Sequence, residues 1–343
     1  MSPLLQLVPN SVKRLIRRYT PAAALARLLS PFLPEIVCVD VGASYFAHPT
    51  WRIFLESPSV AWVAVEPNVA NISYLDTWPW ACRVVPCGTG LSRSGGTKTL
   101  YVTNVDSGSS LLEPVIPPSM QHRVANPEYY FPLQEREIEC TTLSEVVAEW
   151  PQAPVFVKLD TQGSELEILR GAQALFDGSR IVGIELESTL LAQPTMHGAG
   201  RFWEACRFLE ERGFELLHLN PIQGLSRFGA KAGHGRIYLN ECDAVFALRW
   251  DLAQRLGVEY RIGLVAFYLS YALYEEAVAF LRADQELEAR LASAGCDVVA
   301  LSSAALKYAG VRRARQRTPP PGPQGASGAV APGGNLAPPE PVA

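Results

Sequence analysis

The chain has no CxxC pair, and its seven cysteines, an odd number, sit mostly inside apolar runs such as Ile36-Val37-Cys38-Val39. That pattern excludes a zinc ribbon and argues against a disulfide framework. It suits free thiols in a reducing compartment, so no metal site is expected. Charge is scarce as well: 19% of residues are charged and the net charge is −4, which gives the whole protein no field for nucleic acid. The longest apolar run, Ile262 to Tyr274, is bounded by Arg261 and Glu275-Glu276 and is too short to span a bilayer. Near Met1 the charges follow the apolar residues and no small-residue cleavage site comes after them, so no secretory signal is read. The expected location is the cytoplasm.

What the chain does have is a composition, 48% hydrophobic over 343 residues, that can bury a sizeable core. Four zones divide it. Residues 1–34 read as a basic helical segment, with Val12, Leu15, Ile16 and Tyr19 at helical spacing. Its Lys13, Arg14, Arg17 and Arg18 fit a helix packed on the domain with solvated charges, or a peripheral membrane contact. Residues 35–250 alternate β-branched runs with amphipathic ones, the pattern of a parallel sheet with crossover helices. Residues 251–316 show no strand signal and read as a helical extension. Residues 317–343 are Pro, Gly, Ala and Ser with few large apolar side chains, and predict a disordered tail.

Within the central zone, buried strands are predicted at Ile36–Val41, Ala61–Glu66, Arg83–Pro86, Val155–Asp160 and Ile181–Glu187, and later ones at Phe214–Leu219 and Asp243–Leu248. Helices are predicted over Thr50–Glu56, Val69–Asp76, Thr142–Trp150, Glu165–Phe176 and Arg201–Arg212. Between Thr99 and Cys140 the alternation breaks down into an irregular segment, with strand-like pieces at Leu100–Val102 and Glu135–Cys140.

Three stretches carry chemistry. Val39-Asp40-Val41-Gly42-Ala43-Ser44 places a glycine at a strand's carboxyl end, where a ligand can approach the backbone. Val65-Glu66-Pro67-Asn68 places an acid at the next strand end, positioned to accept from ribose hydroxyls. Lys158 and Asp160 interrupt an otherwise apolar strand and share one of its faces. Buried charges are costly unless paired or functional, so both are candidates, either as chemistry or as a tie between strand and helix.

These stretches, together with Asn104–Leu111, Cys140–Leu143, Lys158–Ala172 and Cys242–Phe246, resemble the FkbM family of methyltransferases over about residues 37–248. The Lys158–Ala172 stretch is the specific part of the likeness. The resemblance implies a Rossmann-like class I methyltransferase: a mostly parallel seven-stranded sheet with helices on both faces, here with the C-terminal helical extension. The implied cofactor is S-adenosylmethionine. Carried over by position, Asp40, Gly42 and Ser44 border its amino-acid part and ribose, Glu66 and Asn68 hold the ribose side, and Cys87-Gly88 lie beside the adenine. Asp160 sits near the sulfonium, facing the acceptor, with Gln162 and Glu165 from the following turn. One departure is visible: many members carry a further glycine where this chain has Phe46.

Asp160, Lys158 and Glu185 are the catalytic candidates, because Asp160 and Glu185 end adjacent predicted strands and can flank one pocket. His48 is a lesser candidate for the base, and Trp78 and Trp80 read as core. The polar loop Asp106–Ser110 reads as a lid or acceptor clamp, with Ser109 and Ser110 toward the acceptor, or else as a plain surface linker. The implied acceptor is a hydroxyl on a sugar, glycan or secondary metabolite. Rival readings are a nicotinamide-dependent dehydrogenase, which expects a GxGxxG that is absent, and a catalytically inactive scaffold of the same fold.

Overall fold

A computed structural model of the protein describes residues 20–44, 47, 49–68, 71, 80–115, 130–192, 194–223 and 238–310. The expectations for the basic N-terminal residues, for Phe46, His48 and Trp78, for nearly all of the helix at Val69–Asp76, and for the 317–343 tail lie outside the described residues.

In chain order the strands are β1 (Ile36–Val41), β2 (Val60–Val65), β3 (Arg83–Cys87), β4 (Gly90–Leu91), β5 (Gly96–Thr103), β6 (Pro132–Thr141), β7 (Val155–Leu159), β8 (Ile181–Thr189), β9 (Phe214–Gln223) and β10 (Leu239–Leu248). Seven of them form one sheet in the order β3-β2-β1-β7-β8-β10-β9. Neighbours are parallel except around β10, which runs antiparallel to both β8 and β9. This is the mostly parallel seven-stranded sheet expected from the sequence. Every residue of β1 and β2 is buried, which is why their sequences, IVCVDV and VAWVAV, do not alternate: both faces are covered.

The longer helices are α1 (Pro21–Leu29), α2 (Glu165–Gly171), α3 (Phe202–Glu210), α4 (Val258–Ser270), α5 (Tyr274–Ala283), α6 (Gln285–Ser293) and α7 (Val298–Tyr308). Local sequence explains their starts. Thr20 caps α1 ahead of Pro21, Asp284 caps α6 by accepting from Leu287 N–H, and Asp297 caps α7 by accepting from Ala300 N–H.

The run Ile262–Tyr274, apolar on all sides, belongs mostly to α4, which is buried from Arg261 to Ser270. It lies between the sheet and the outer helices, packing on β8, α1, α5 and α6. Phe267 stacks on Phe156 of β7 at 5.3 Å, and Phe156 meets Phe54 at 5.1 Å. The helices beyond residue 250 therefore share the core of the sheet and cover one of its faces. Among the described residues no single helix is long and apolar enough to cross a membrane.

Three local expectations change. The helix read at Glu165–Phe176 breaks after Gly171, which presses on the backbone of Arg93; a Cβ there would sit 2.5 Å from the Arg93 carbonyl oxygen. The helix read at Thr142–Trp150 shortens to Leu143–Val146, closed by a capping box between Thr142 and Glu145. The strand-like pieces read at Leu100–Val102 and Glu135–Cys140 extend into β5 and β6, which pair antiparallel over most of their length and with β4 form a second sheet, β4-β6-β5.

Candidate active site

β1 leaves the sheet at Gly42, and the N–H groups of Gly42 and Ala43 both donate to Val65 O at the end of β2, at 3.0 and 3.2 Å. From the other side Asp160 N–H donates to Val41 O at 3.0 Å. Gly42 has φ of 81°, and a Cβ on it would lie 2.0 Å from the Asp160 carbonyl oxygen. Position 42 excludes any side chain, because two backbones cross there. The glycine assigned from sequence to ligand approach is thus required first by the contact between the ends of β1 and β7.

Glu66 follows β2 and is buried. Its Oε2 accepts from Ser44 N–H at 3.1 Å and its Oε1 from Asn68 N–H at 2.8 Å. The carboxylate therefore joins the turn after β1, where Ser44 has φ of 47°, to its own turn. Burial raises its pKa and the two amides oppose the rise. Each oxygen keeps a second lone pair for a ligand.

In register, Asp40, Lys158 and Glu185 are partners across β1, β7 and β8 and point to the same face. Lys158 Nζ bonds Asp160 Oδ2 at 3.0 Å. The lysine side chain is only 12% exposed, whereas that of Asp160 is 39% exposed and opens outward. Burial works against the charge of Lys158, but Asp160, Asp40 and Glu185 outweigh it and its pKa is raised. Burial likewise works against ionised Asp160, yet Lys158 and hydrogen bonds from Glu187, Lys158 and Gln162 leave its pKa lowered. Asp40, sealed in beneath them, is pushed by burial up to about 6.

Glu165 turns back on the segment before it. Its Oε1 accepts from Thr161 N–H at 2.8 Å, Gly163 N–H at 3.0 Å and Thr161 Oγ1 at 3.1 Å. Ser110 Oγ contacts the carbonyls of Thr161 and Gln162 at 3.2 and 3.0 Å. The Asp106–Ser110 loop is also held to β5, by Tyr101 N–H to Ser110 O and by Ser110 N–H to Tyr101 O. This loop is a fastened wall in the structure. Gln162, with φ of 56°, donates from its amide to both Asp160 and Glu187. Beside it a small cavity is lined by Gln162, Glu165, Glu187, Thr195 and Glu241. Burial raises the pKa of Glu187, and that of Glu241 to about 7. Tyr130 Oη lies 3.4 Å from Glu241 Oε1.

The main cleft opens at the carboxyl ends of β1, β2 and β7. Of the sequence-derived residues, Gly42, Ser44, Glu66, Asn68, Ser109, Ser110 and Asp160 line it. Asp40 and Lys158 stand behind its wall, and Gln162 and Glu165 face the smaller cavity. Cys87 and Gly88 are not in the lining; Thr89, Gly90 and Leu91 take that wall, because β3 ends before the chain turns in. Glu185 does not flank the cleft either. Its carboxylate accepts from the Tyr271 hydroxyl. Glu187 and Glu241 escaped the sequence reading, Glu241 because β10 was expected to begin only at Asp243. Arg136 and Leu100 in the cleft wall were hidden in the segment read as irregular. Among the described residues no cluster of His, Cys, Asp and Glu is arranged to hold a metal ion.

Solved structures similar to this chain include a precorrin-6y C5,15-methyltransferase from Geobacter metallireducens, 14% identical over 66% of this chain and 88% of that one, with a TM-score of 0.31. A TehB-like SAM-dependent methyltransferase from Corynebacterium glutamicum is 12% identical over 70% of this chain and 97% of its own, with a TM-score of 0.26. A search of curated proteins finds no match. The family described as methyltransferase FkbM domain matches residues 40–216, just over half of the chain, a stretch holding Gly42, Glu66, Asp160 and the Thr161–Glu165 turn. The chain belongs to the FkbM methyltransferase family, whose methyl donor is S-adenosylmethionine.

Proposed function

We propose that this methyltransferase acts on a hydroxyl oxygen of a sugar, glycan or related secondary metabolite. The observation that carries this reading is the Gln162 amide, which links ionised Asp160 in the cleft to the Glu187–Glu241 pair in the adjoining cavity. The residues suit the cofactor. Asp160, kept negative by Lys158, would hold its ammonium group, and Glu66 with Asn68 would take the ribose hydroxyls. The Gly42–Ser44 turn and Thr89–Leu91 would border the rest. When bound, S-adenosylmethionine supplies an electrophilic methyl group.

A hydroxyl acceptor must be aligned with that methyl and must lose its proton. Glu241, with a pKa of about 7, is matched to accept a proton at neutral pH, and we assign it that role. The lowered pKa of Asp160 makes it a poor base and a good counter-ion. Lys158 serves as its support, and Glu185, which is engaged by Tyr271 and does not line the cleft, is not assigned as the base.

Methyl transfer from labelled S-adenosylmethionine to a panel of glycans and matched amino sugars tests the assignment. Label in base-stable ethers, lost in Glu241→Gln, is expected. Label found only on nitrogen or carboxyl groups would overturn the hydroxyl reading.

A further inference from the structure

Lys158 stands among three carboxylates, those of Asp40, Asp160 and Glu185, yet among the described residues it forms an ion pair with Asp160 alone. An explanation lies outside the family-matched stretch. Tyr271, just past α4, is hydrogen-bonded to Glu185 Oε2, and Trp51 Nε1 lies 2.6 Å from the same phenol oxygen. An indole N–H can only donate, so the phenol oxygen accepts from Trp51 and its single proton goes to Glu185. The ring of Tyr271 is fixed against Phe267 at 4.6 Å, which holds this orientation.

We propose that Tyr271 is a positioning residue of the cofactor site: by occupying the Glu185 carboxylate, it reserves Lys158 for Asp160. A buried carboxylate deprived of its hydroxyl partner would draw the nearest donor, and across the β7–β8 register that donor is Lys158. Asp160 would then lose part of its support and take up a proton more readily. The inference rests on the reading of Asp160 as the holder of the cofactor's ammonium. It gives the helices beyond residue 250 a part in the site: one hydroxyl that acts on the cleft through Glu185 and Lys158.

The test is calorimetric titration of S-adenosylmethionine into wild type, Tyr271→Phe, Glu185→Gln, the double variant and Asp160→Asn, between about pH 5 and about pH 9. The groups facing the pair are Asp40 from β1, Tyr130 before β6, Glu185 and Glu187 from β8, Glu241 from β10, and Tyr271. Tyr271→Phe should bind about tenfold more weakly at neutral pH. Its acid limit for binding should also move to higher pH, a change that loosened packing would not produce. Adding Glu185→Gln should restore affinity, because a neutral amide does not compete for the lysine, and Glu185→Gln alone should bind as wild type.

Wild-type affinity and an unmoved acid limit in Tyr271→Phe overturn the inference, as does a double variant no better than the single one. If Tyr271→Phe fails to fold, weakened binding by a folded Glu185→Gln overturns it instead. An Asp160→Asn protein that binds normally overturns the reading of Asp160. Weak binding by Asp160→Asn beside normal Tyr271→Phe overturns this inference alone.

Discussion

At the scale of single residues, the site depends on carboxylates whose oxygens are already engaged. Both oxygens of Glu66 hold backbone amides, so replacing it does more than remove a ligand contact. Glu66→Gln keeps one acceptor and turns an NH2 group toward the other N–H, leaving a buried donor unpaired at about 1–3 kcal/mol. Thermal melting should show that loss without any cofactor present, and affinity should fall as well. An unchanged melting temperature would mean that the clamp carries no weight. Asp160→Asn differs, because its side chain opens to the cleft. The fold should persist while cofactor affinity drops by about 10- to 100-fold in calorimetric titration, the range for a hydrogen bond to a charged group. Both acids were legible in the sequence because each ends a buried strand. Glu241 and Tyr130 were not, since their meeting depends on β10 running back between β8 and β9, and no local pattern records that pairing.

At the scale of elements, the strands were read most reliably. β1, β2, β7 and β8 are largely apolar runs, interrupted by site residues such as Asp40, Lys158 and Glu185, and burial on both faces forces that signal. The break after Gly171 was not legible, because it answers to Arg93, a residue distant in sequence. The second sheet was half legible: β6 is largely exposed, so its composition lacks the mark of a buried strand. The helices beyond residue 250 read as an extension, but Phe267 of α4 stacks on Phe156 of β7 at 5.3 Å and the two share one core. Ending the chain at residue 250 should therefore give a protein with no cooperative melting transition, as seen by circular dichroism. Phe267→Ala in the full chain should cost about 3–5 kcal/mol, measured by urea unfolding. A truncated chain that melts sharply would show the helices to be dispensable.

For the molecule as a whole, buried acids with raised pKa values, Asp40 and Glu241 among them, set the response to pH. Burial raises Asp40 to about 6 and Glu241 to about 7, so each binds a proton more tightly folded than unfolded. Such groups contribute stability below their unfolded pKa values and lose it as pH rises through the folded ones. Stability should therefore increase by about 1–3 kcal/mol on going from about pH 8 to about pH 5. Asp160, with a lowered pKa, works in the other direction, and its contribution fades only at more acid pH, below its unfolded value. Thermal melting across that range checks the sign. A melting temperature that falls steadily from about pH 8 to about pH 5 would contradict it. In Glu241→Gln the rise should be smaller.

The packing of α1 against α7 has a bearing on how the protein is made. Cys296 Sγ, just before α7, lies 3.4 Å from the carbonyl of Leu28 in α1, so residues far apart in the chain close one layer together. The sheet itself is interleaved in the same way, with β10 inserted between β8 and β9. During synthesis α1 must wait for α7 to emerge, and the apolar face that holds Phe156 and Phe54 stays uncovered until α4 follows. A topology so rich in distant contacts folds slowly, and much of its core forms only after most of the chain has left the ribosome. Chaperone demand in this protein should thus concentrate on one sheet face late in translation.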